Sequence, residues 1–323
     1  MTRKALIFGN GLGMALDQKH FSLTNAIQYI WDHQDILSDD ERRYIEQCLP
    51  GVSGRAPEGE GELGVLHLAV TSCGFLRSLS GKDVEWLSKE GKEFPDTIAK
   101  FVHKVATKLH NYESGDLPEG FINPLCAFLK DSKSHIATLN YDKLLYGAMV
   151  DNEVLNGFSY LVDGMWDSGF DRDNLERLYD NNFGYYLHLH GSPLFVNHNG
   201  IPKKMQRHEL TLDSEFIGRH LVLTHVKHKL SVISSSPVLS AYWDYLDFVL
   251  GESEEIIVFG CSGDDKHLNQ KLKLYTKDPS RKVRVVEWDG SGNHADRTRF
   301  WKKRLGDNVE LVQMGNILEF TDW

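Results

Sequence analysis

Short apolar runs and amphipathic stretches alternate along most of the chain. Compact apolar runs predict buried strands at residues 4–8, 136–139, 185–190, 255–259, 282–288 and 309–314, and a weaker run suggests one more at 221–224. Apolar residues at helical spacing predict helices over 94–109, 143 to about 155, 238–250 and 297–305. Because strand and helix alternate from residue 136 onward, the expected fold is α/β, with a Rossmann-like, mainly parallel sheet covered by helices on both faces.

A long helical segment separates the first predicted strand from the second. Residues 38–41, Ser-Asp-Asp-Glu, have the pattern of a capping box, which marks the start of a helix. Residues 50–64 are rich in Gly, Pro and Glu and predict a loop. We therefore expect a core made of residues 1–20 and 132–323, interrupted by a large helical insertion at 21–131.

Glycine-rich or polar residues follow four of the predicted strands. They are Gly9-Asn10-Gly11, Asn140-Tyr141-Asp142, His190-Gly191 and Gly260-Cys261-Ser262, the last continuing to Asp265. The carboxyl ends of parallel strands meet at one edge of a sheet, where ligands bind and where the next helix presents free N–H groups. Four such turns predict a ligand site at that edge. Each turn also has a structural alternative, with Asn140 or Asp142 as a helix cap and the glycines as tight turns.

Two histidines, His188 and His190, lie on one face of the predicted strand 185–190. Histidines at this spacing can bind a metal, but a metal site needs a third and a fourth ligand of defined spacing, and the sequence shows none. We therefore predict no metal site, a packing role for His188, and a role in the ligand site for His190 at the end of the strand.

The composition is that of an ordinary globular protein and excludes several classes. Of the 323 residues, 41% are hydrophobic and 25% are charged. No apolar run approaches the ~20 residues of a membrane span and no signal-peptide core is visible, so a cytoplasmic protein without membrane contact is expected. The net charge of −10 argues against direct binding of nucleic acid. The four cysteines form no CxxC pair, which predicts neither a disulfide framework nor structural zinc.

In their order along the chain, the four turns resemble the motifs of the sirtuin-like family of NAD-consuming enzymes. That family has a GxG loop after its first strand, a TxNxD motif, a His-Gly pair and a GxS motif. The matching residues here are Gly9-Asn10-Gly11, Thr138-Leu139-Asn140-Tyr141-Asp142, His190-Gly191 and Gly260-Cys261-Ser262. The resemblance covers the α/β core, about two-thirds of the chain, and leaves the helical insertion unmatched.

The chain differs from the sirtuin deacylases in lacking their four-cysteine zinc module. With Tyr141 in the second motif, Ser192 after the His-Gly pair and Asp265-x-His267 after the GxS motif, it is more similar to the zinc-less branch found in bacterial anti-phage effectors. Members of that branch hydrolyse NAD. The resemblance therefore implies NAD as the substrate, no zinc, and depletion of NAD during abortive infection.

The resemblance and the chemistry of the nicotinamide–ribose bond together suggest roles for the site residues. Cleavage passes through an oxocarbenium-like state, so we expect His190 to act as general base, Asn140 to hold the ribose or water, and Asp142 to lie on the nicotinamide side. The residues expected to bind NAD are Gly9, Asn10, Gly11, Thr138, Gly191, Gly260, Ser262 and Asp265.

Three functions remain open at this point. The first is an NAD glycohydrolase that releases nicotinamide and ADP-ribose, and the alternatives are an NAD-dependent protein deacylase and a non-catalytic sensor of NAD or ADP-ribose. An enzyme that destroys NAD has to be silent in a healthy cell. We therefore expect control by homo-oligomerisation, by a regulatory sensor protein or by a nucleotide signal, acting through the helical insertion.

Overall fold

A seven-stranded sheet forms the centre of the computed structural model, which describes residues 3–49, 51, 54–81, 84–157, 160–178, 181–215, 218, 220–225 and 227–323. The strands are β1 (Lys4–Phe8), β2 (His135–Thr138), β3 (Leu161–Val162), β4 (Met165–Trp166), β5 (Gly169–Phe170), β6 (Gly184–His188), β7 (Phe195–His198), β8 (Ile201–Lys204), β9 (Glu255–Phe259), β10 (Lys282–Trp288) and β11 (Val309–Met314). The sheet has the order β11-β10-β9-β1-β2-β6-β3, and all its neighbouring strands are parallel. The pairs β4–β5 and β7–β8 are separate antiparallel hairpins.

Helices cover this sheet and build the insertion. They are α1 (Gly11–Leu16), α2 (Gln18–Phe21), α3 (Leu23–Asp32), α4 (Asp39–Cys48), α5 (Gly59–Leu79), α6 (Lys89–His110), α7 (Glu119–Ser132), α8 (Leu144–Asp151), α9 (Lys229–Ser235), α10 (Pro237–Glu252), α11 (Lys266–Tyr275) and α12 (His294–Leu305). Nearly every residue of β1, β2, β6 and β9 is buried, which requires cover on both faces of the sheet. The predicted α/β, Rossmann-like architecture is confirmed.

The predicted strands lie close to the observed ones, with one exception. Strand β2 ends at Thr138 and β6 at His188, one and two residues before the predicted ends. The prediction of a strand at 221–224 is wrong, because in this segment only an isolated bridge pairs Leu221 with Gly191. Its backbone binds the loops of the site instead, since the Val222 N–H donates to the His190 carbonyl (3.0 Å).

The prediction of a loop over residues 50–64 is wrong in its second half. Helix α5 starts at Gly59, while Pro50 and residues 52–53 lie outside the described part of the chain. The Glu62 carboxylate accepts from the Arg55 guanidinium (2.8 Å) and thereby anchors the first turn, and Leu63 begins the buried face. Tertiary contacts of this kind outweigh the poor helix propensity of glycine.

The buried apolar residues form two clusters. The larger surrounds the sheet, and the smaller lies among α3, α4, α5 and α6. Helix α7, which the sequence assigned to the insertion, belongs to the larger cluster, because the Phe121 ring packs 5.4 Å from the Phe259 ring of β9. By packing, the insertion therefore ends near Leu109 and not at residue 131. The capping box at Ser38 and Glu41, predicted to start a helix, is present at the start of α4.

Within the described ranges, no helix is both long enough and apolar enough to span a bilayer.

Candidate active site

A cavity of about 960 Å³ lies at the carboxyl edge of the sheet, where the four predicted turns meet. All predicted site residues except Thr138 and Gly191 line it. Leu23, Glu60 and Leu109 of the helical insertion line it as well. The cavity is therefore bounded by both parts of the fold.

Two glycine turns interlock at one end of this cavity. The Gly9 N–H donates to the Phe259 carbonyl (2.9 Å) and the Gly11 N–H to the Gly260 carbonyl (2.7 Å). A Cβ on Gly11 would lie 2.6 Å from the Gly260 oxygen, and Gly260 itself has φ of +62°, so neither position tolerates a side chain. The glycines thus serve the close packing of two turns. Any phosphate bound here has to be held by donors other than these two N–H groups.

Asn140 presents an unpaired polar atom in this site. Its Nδ2 donates to the Gly9 carbonyl (3.1 Å), and its backbone N–H donates to the Thr138 hydroxyl (3.1 Å). Its Oδ1 is buried and has no hydrogen-bond partner among the described residues. Because a buried carbonyl oxygen without a partner is costly, the side chain is suited to accept a hydrogen bond from a ligand hydroxyl or a water molecule.

Asp142 contacts the start of a helix and also lines the cavity. Its Oδ1 accepts from the N–H of Leu144, the first residue of α8 (3.0 Å), although the N-cap position itself is held by Lys143. Burial raises the pKa of the Asp142 carboxyl to about 6. The group therefore titrates just below neutral pH, where a small change in its surroundings alters its charge.

His190 is paired with Asp265, which the sequence assigned only to NAD binding. The imidazole Nε2 lies 3.0 Å from Asp265 Oδ2. The other carboxylate oxygen, Oδ1, accepts from the backbone N–H groups of His267 and Leu268 and so caps α11. The Asp265 carboxylate is therefore fixed by the start of α11 and in turn fixes the orientation of the His190 ring.

The surroundings of this pair favour a neutral histidine next to an ionised carboxylate. Burial would raise the pKa of Asp265, but the hydrogen bond with His190 and the charge of Lys229 outweigh it and keep that pKa well below the usual range. Burial lowers the pKa of His190 more than its bond with Asp265 raises it. The ionised carboxylate accepts the Nε2 proton, which leaves Nδ1 as a proton acceptor. This is the state of an oriented general base.

Gly191 fixes the backbone that carries His190. Its φ of +80° lies in the left-handed region, and a Cβ there would come within 1.7 Å of the His220 carbonyl oxygen. The predicted role of Gly191 in binding NAD has no direct counterpart, because the residue does not line the cavity. Its contribution is to let the chain turn sharply after the histidine.

Two charged residues that the sequence did not single out complete the group around Asp265. Lys229 Nζ lies 3.2 Å from Asp265 Oδ2 and 3.4 Å from Glu60 Oε1. Lys229 is 4% exposed, although it begins a polar-looking segment, and Glu60 falls in the stretch predicted as a loop. No local pattern marks either residue, because their meeting depends on how the insertion packs on the sheet.

The end of the cavity next to β10 is aromatic and polar. Trp288, the last residue of β10, lines it and is 57% exposed. Glu287 is engaged by the Arg297 guanidinium (2.6 Å) and the Trp301 N–H (2.8 Å), so its carboxylate is committed to the fold. Ser262 lies at the cavity and its hydroxyl accepts from the Asp264 N–H (3.2 Å). An aromatic residue at the carboxyl end of a strand, followed by Asp-Gly-Ser-Gly, is the signal that could have identified Trp288.

His188 lies behind the site, as expected for a packing residue. Its ring is 4.9 Å from that of Tyr186, 5.2 Å from Phe195 and 5.5 Å from Tyr146. Burial lowers the pKa of His188 to about 3. In the part of the chain that the structure describes, no three His, Cys, Asp or Glu side chains converge as a metal site requires.

Fold and site together define a Rossmann-like α/β protein with a ligand cavity between its sheet and a helical insertion. The sequence matches no model of a known protein family, and no curated protein sequence matches it closely enough to indicate a relationship.

Proposed function

We propose that this protein is an NAD glycohydrolase, which splits NAD into nicotinamide and ADP-ribose. The observation that supports this most is the pairing of His190 with Asp265 in the same cavity as Asn140, whose Oδ1 lacks a partner among the described residues. The cavity, about 960 Å³, is at the upper end of the usual range for small-molecule pockets, as a dinucleotide requires.

The residues have chemistry that suits cleavage of a glycosidic bond. As the bond between the ribose C1′ and the nicotinamide nitrogen breaks, nicotinamide leaves with the electron pair and positive charge develops on the ribose. Asn140 Oδ1 accepts a hydrogen bond from a ribose hydroxyl, and the Asp142 carboxylate stabilises the positive charge. Water attacks C1′ and gives its proton to His190 Nδ1. The products are nicotinamide and ADP-ribose.

The two ends of the cavity suggest how the substrate lies. The nicotinamide ribose is placed at Asn140 and His190, and the adenosine is placed towards Trp288. An exposed indole ring at the cavity wall offers a face on which adenine can stack, an interaction worth about 1–3 kcal/mol per base.

Incubation of the purified protein with NAD tests the proposal, both at low protein concentration and under conditions that promote self-assembly or supply a candidate trigger. Chromatography of the products is expected to show nicotinamide and ADP-ribose with the wild type and at most a trace with His190→Ala. His198→Ala is the matched control, because His198 is exposed on the hairpin strand β7 and does not line the cavity. Cyclic ADP-ribose in the product mixture would indicate attack by a ribose hydroxyl in place of water.

The same experiment separates the alternatives. Nicotinamide release that depends on an added acyl-lysine peptide would indicate a deacylase. Binding of NAD in calorimetry without turnover, under all activating conditions tried, would indicate a sensor. Either result would overturn the proposal of a hydrolase.

In the cell, we place this activity in the cytoplasm as an NAD-depleting response to phage, kept silent until a partner, a signal or self-assembly triggers it. Expression of the triggered wild type is expected to be toxic and to lower cellular NAD, and Asn140→Ala is expected to abolish both effects. Harmless expression of the wild type together with its partner and trigger would count against this role.

A further inference from the structure

Helix α5 of the insertion contacts the segment around α9 along a single face. Glu60, Gly64 and His67 follow one another at intervals of four and three residues, which places them on one side of a helix. Glu60 Oε1 lies 3.4 Å from Lys229 Nζ, and His67 Nε2 lies 3.3 Å from the Ser231 hydroxyl. Between them, the backbones approach so closely that a Cβ on Gly64 would lie 2.4 Å from the Cβ of His225.

We infer that Lys229 is a positioning residue through which helix α5 of the insertion controls the pairing of His190 with Asp265. This control role rests on the proposed function, because it makes the insertion the regulatory element of that active site. It explains why a buried ammonium group is shared between a carboxylate of the sheet edge and a carboxylate of the insertion.

His190 and Lys229 compete for the same carboxylate oxygen, Asp265 Oδ2. That oxygen accepts from both His190 Nε2 (3.0 Å) and Lys229 Nζ (3.2 Å). On its other side Lys229 binds Glu60 Oε1 (3.4 Å), and in this arrangement Lys229 is only 4% exposed. If α5 moves away, Lys229 is left with Asp265 alone and binds it more closely. The hydrogen bond that orients His190 is then weakened.

The charged and titratable groups facing His190 act on it with opposite signs. They are Asp265 at the start of α11, Lys229 on α9, Glu60 on α5 and Tyr141 after β2, whose ring lies 6.4 Å from the imidazole. Burial is the main cause that lowers the pKa of His190. The charge of Lys229 lowers that pKa further, whereas Asp265 and Glu60 raise it.

Removing the two charges one at a time is therefore a sharp test. Lys229→Met is expected to raise the pKa of His190, and Glu60→Gln is expected to lower it. The matched control is Glu93→Gln, which removes the same charge from the insertion but from a residue of α6 that does not line the cavity. Lys229→Arg, which keeps the charge, is expected to keep the wild-type pKa.

The readout is the titration of the His190 ring protons by NMR, with the resonance assigned by its loss in His190→Gln. The alkaline shift in Lys229→Met and the acid shift in Glu60→Gln should reappear in the pH profile of NAD cleavage. Glu60 is 41% exposed on its side chain, so Glu60→Gln carries the test by itself if Lys229→Met does not fold.

The outcomes distinguish this inference from the proposed function, because the NMR titration needs no turnover. Opposite shifts in a protein that leaves NAD intact under all activating conditions tried would support control through Lys229 and refute the hydrolase. If NAD is cleaved but the pKa of His190 shifts in neither variant, or shifts in the same direction in both, control through Lys229 is refuted and the hydrolase proposal is unaffected.

Discussion

Acid should destabilise this protein strongly, because several histidines are buried in their neutral form. Burial lowers the pKa of His110, His135 and His220 to about 4, and the pKa of His188 to about 3. All four are at most 5% exposed. In the unfolded chain a histidine binds its proton near pH 6.5. The stabilising contribution of each is therefore complete above that pH and is lost as the pH falls towards the folded-state value.

The size of the effect follows from the linkage of proton binding to folding. Between pH 7.5 and pH 5, each of the four histidines gives up about 2 kcal/mol, or about 8 kcal/mol together. Asp142 acts in the opposite direction. Its pKa is raised to about 6, so the cost of its ionisation is relieved as the pH falls. This returns about 1 kcal/mol over the same interval. The net loss is comparable with the whole stability of a typical domain, about 5–15 kcal/mol.

Urea unfolding followed by tryptophan fluorescence, repeated from pH 8 to pH 5, measures this loss. The midpoint is expected to fall steeply below pH 6.5. Carboxylates with lowered pKa values, such as Asp265 and Glu252, lose their contribution only at still lower pH, so the two effects are separated. In His188→Leu the free energy of unfolding should lose about 2 kcal/mol less between pH 7.5 and pH 5 than in the wild type. A midpoint that stays level between pH 7.5 and 5.5 would refute the assignment of these histidines as neutral.

Three further substitutions probe the site. Asp142→Asn keeps an oxygen for the Leu144 N–H but removes a costly ionisation, so urea unfolding should show a gain of up to about 3 kcal/mol at pH 8 and a smaller gain at pH 5. Gly191→Ala should lower the free energy of unfolding by more than about 2 kcal/mol. Gly200→Ala, at φ of +81° with nothing within 4 Å, should show the backbone strain alone. Trp288→Ala should raise the KM for NAD about tenfold with little change in kcat, and Trp288→Phe should restore most of the loss; an unchanged KM would remove adenine from that face.

Local patterns in the sequence were sufficient to locate the frame of the site. Each turn follows a short apolar run, and in parallel strands the ends of such runs meet at one edge. Asn140 and His190 could therefore be placed in one cavity although 50 residues separate them along the chain. The glycines were also predicted at the right place in the fold. In the structure they allow Gly11 to pack closely against Gly260, and no local sequence pattern distinguishes this role from phosphate binding.

The remaining parts of the site depend on contacts between distant segments. The bond between His190 and Asp265 spans 75 residues, and the contact between Glu60 and Lys229 spans 169. Asp265 could be expected at a helix start, where its Oδ1 does serve as a cap, but a single sequence does not say what its second oxygen binds. The same holds for α5, whose first turn depends on an ion pair with Arg55 that outweighs its glycines.

The place of the insertion explains why it takes part in the site. The chain leaves the sheet after β1, at the carboxyl edge, and returns through α7 to β2, the strand beside β1. The insertion therefore begins beside the turn after β1, and Leu23, Glu60 and Leu109 bring it to the wall of the cavity. Leu223 belongs to the buried cluster of the insertion. Two residues earlier, Leu221 forms a β-bridge with Gly191, the residue after His190. The proposed control of the site by the insertion therefore has two routes to the histidine, one through backbone packing and one through Lys229.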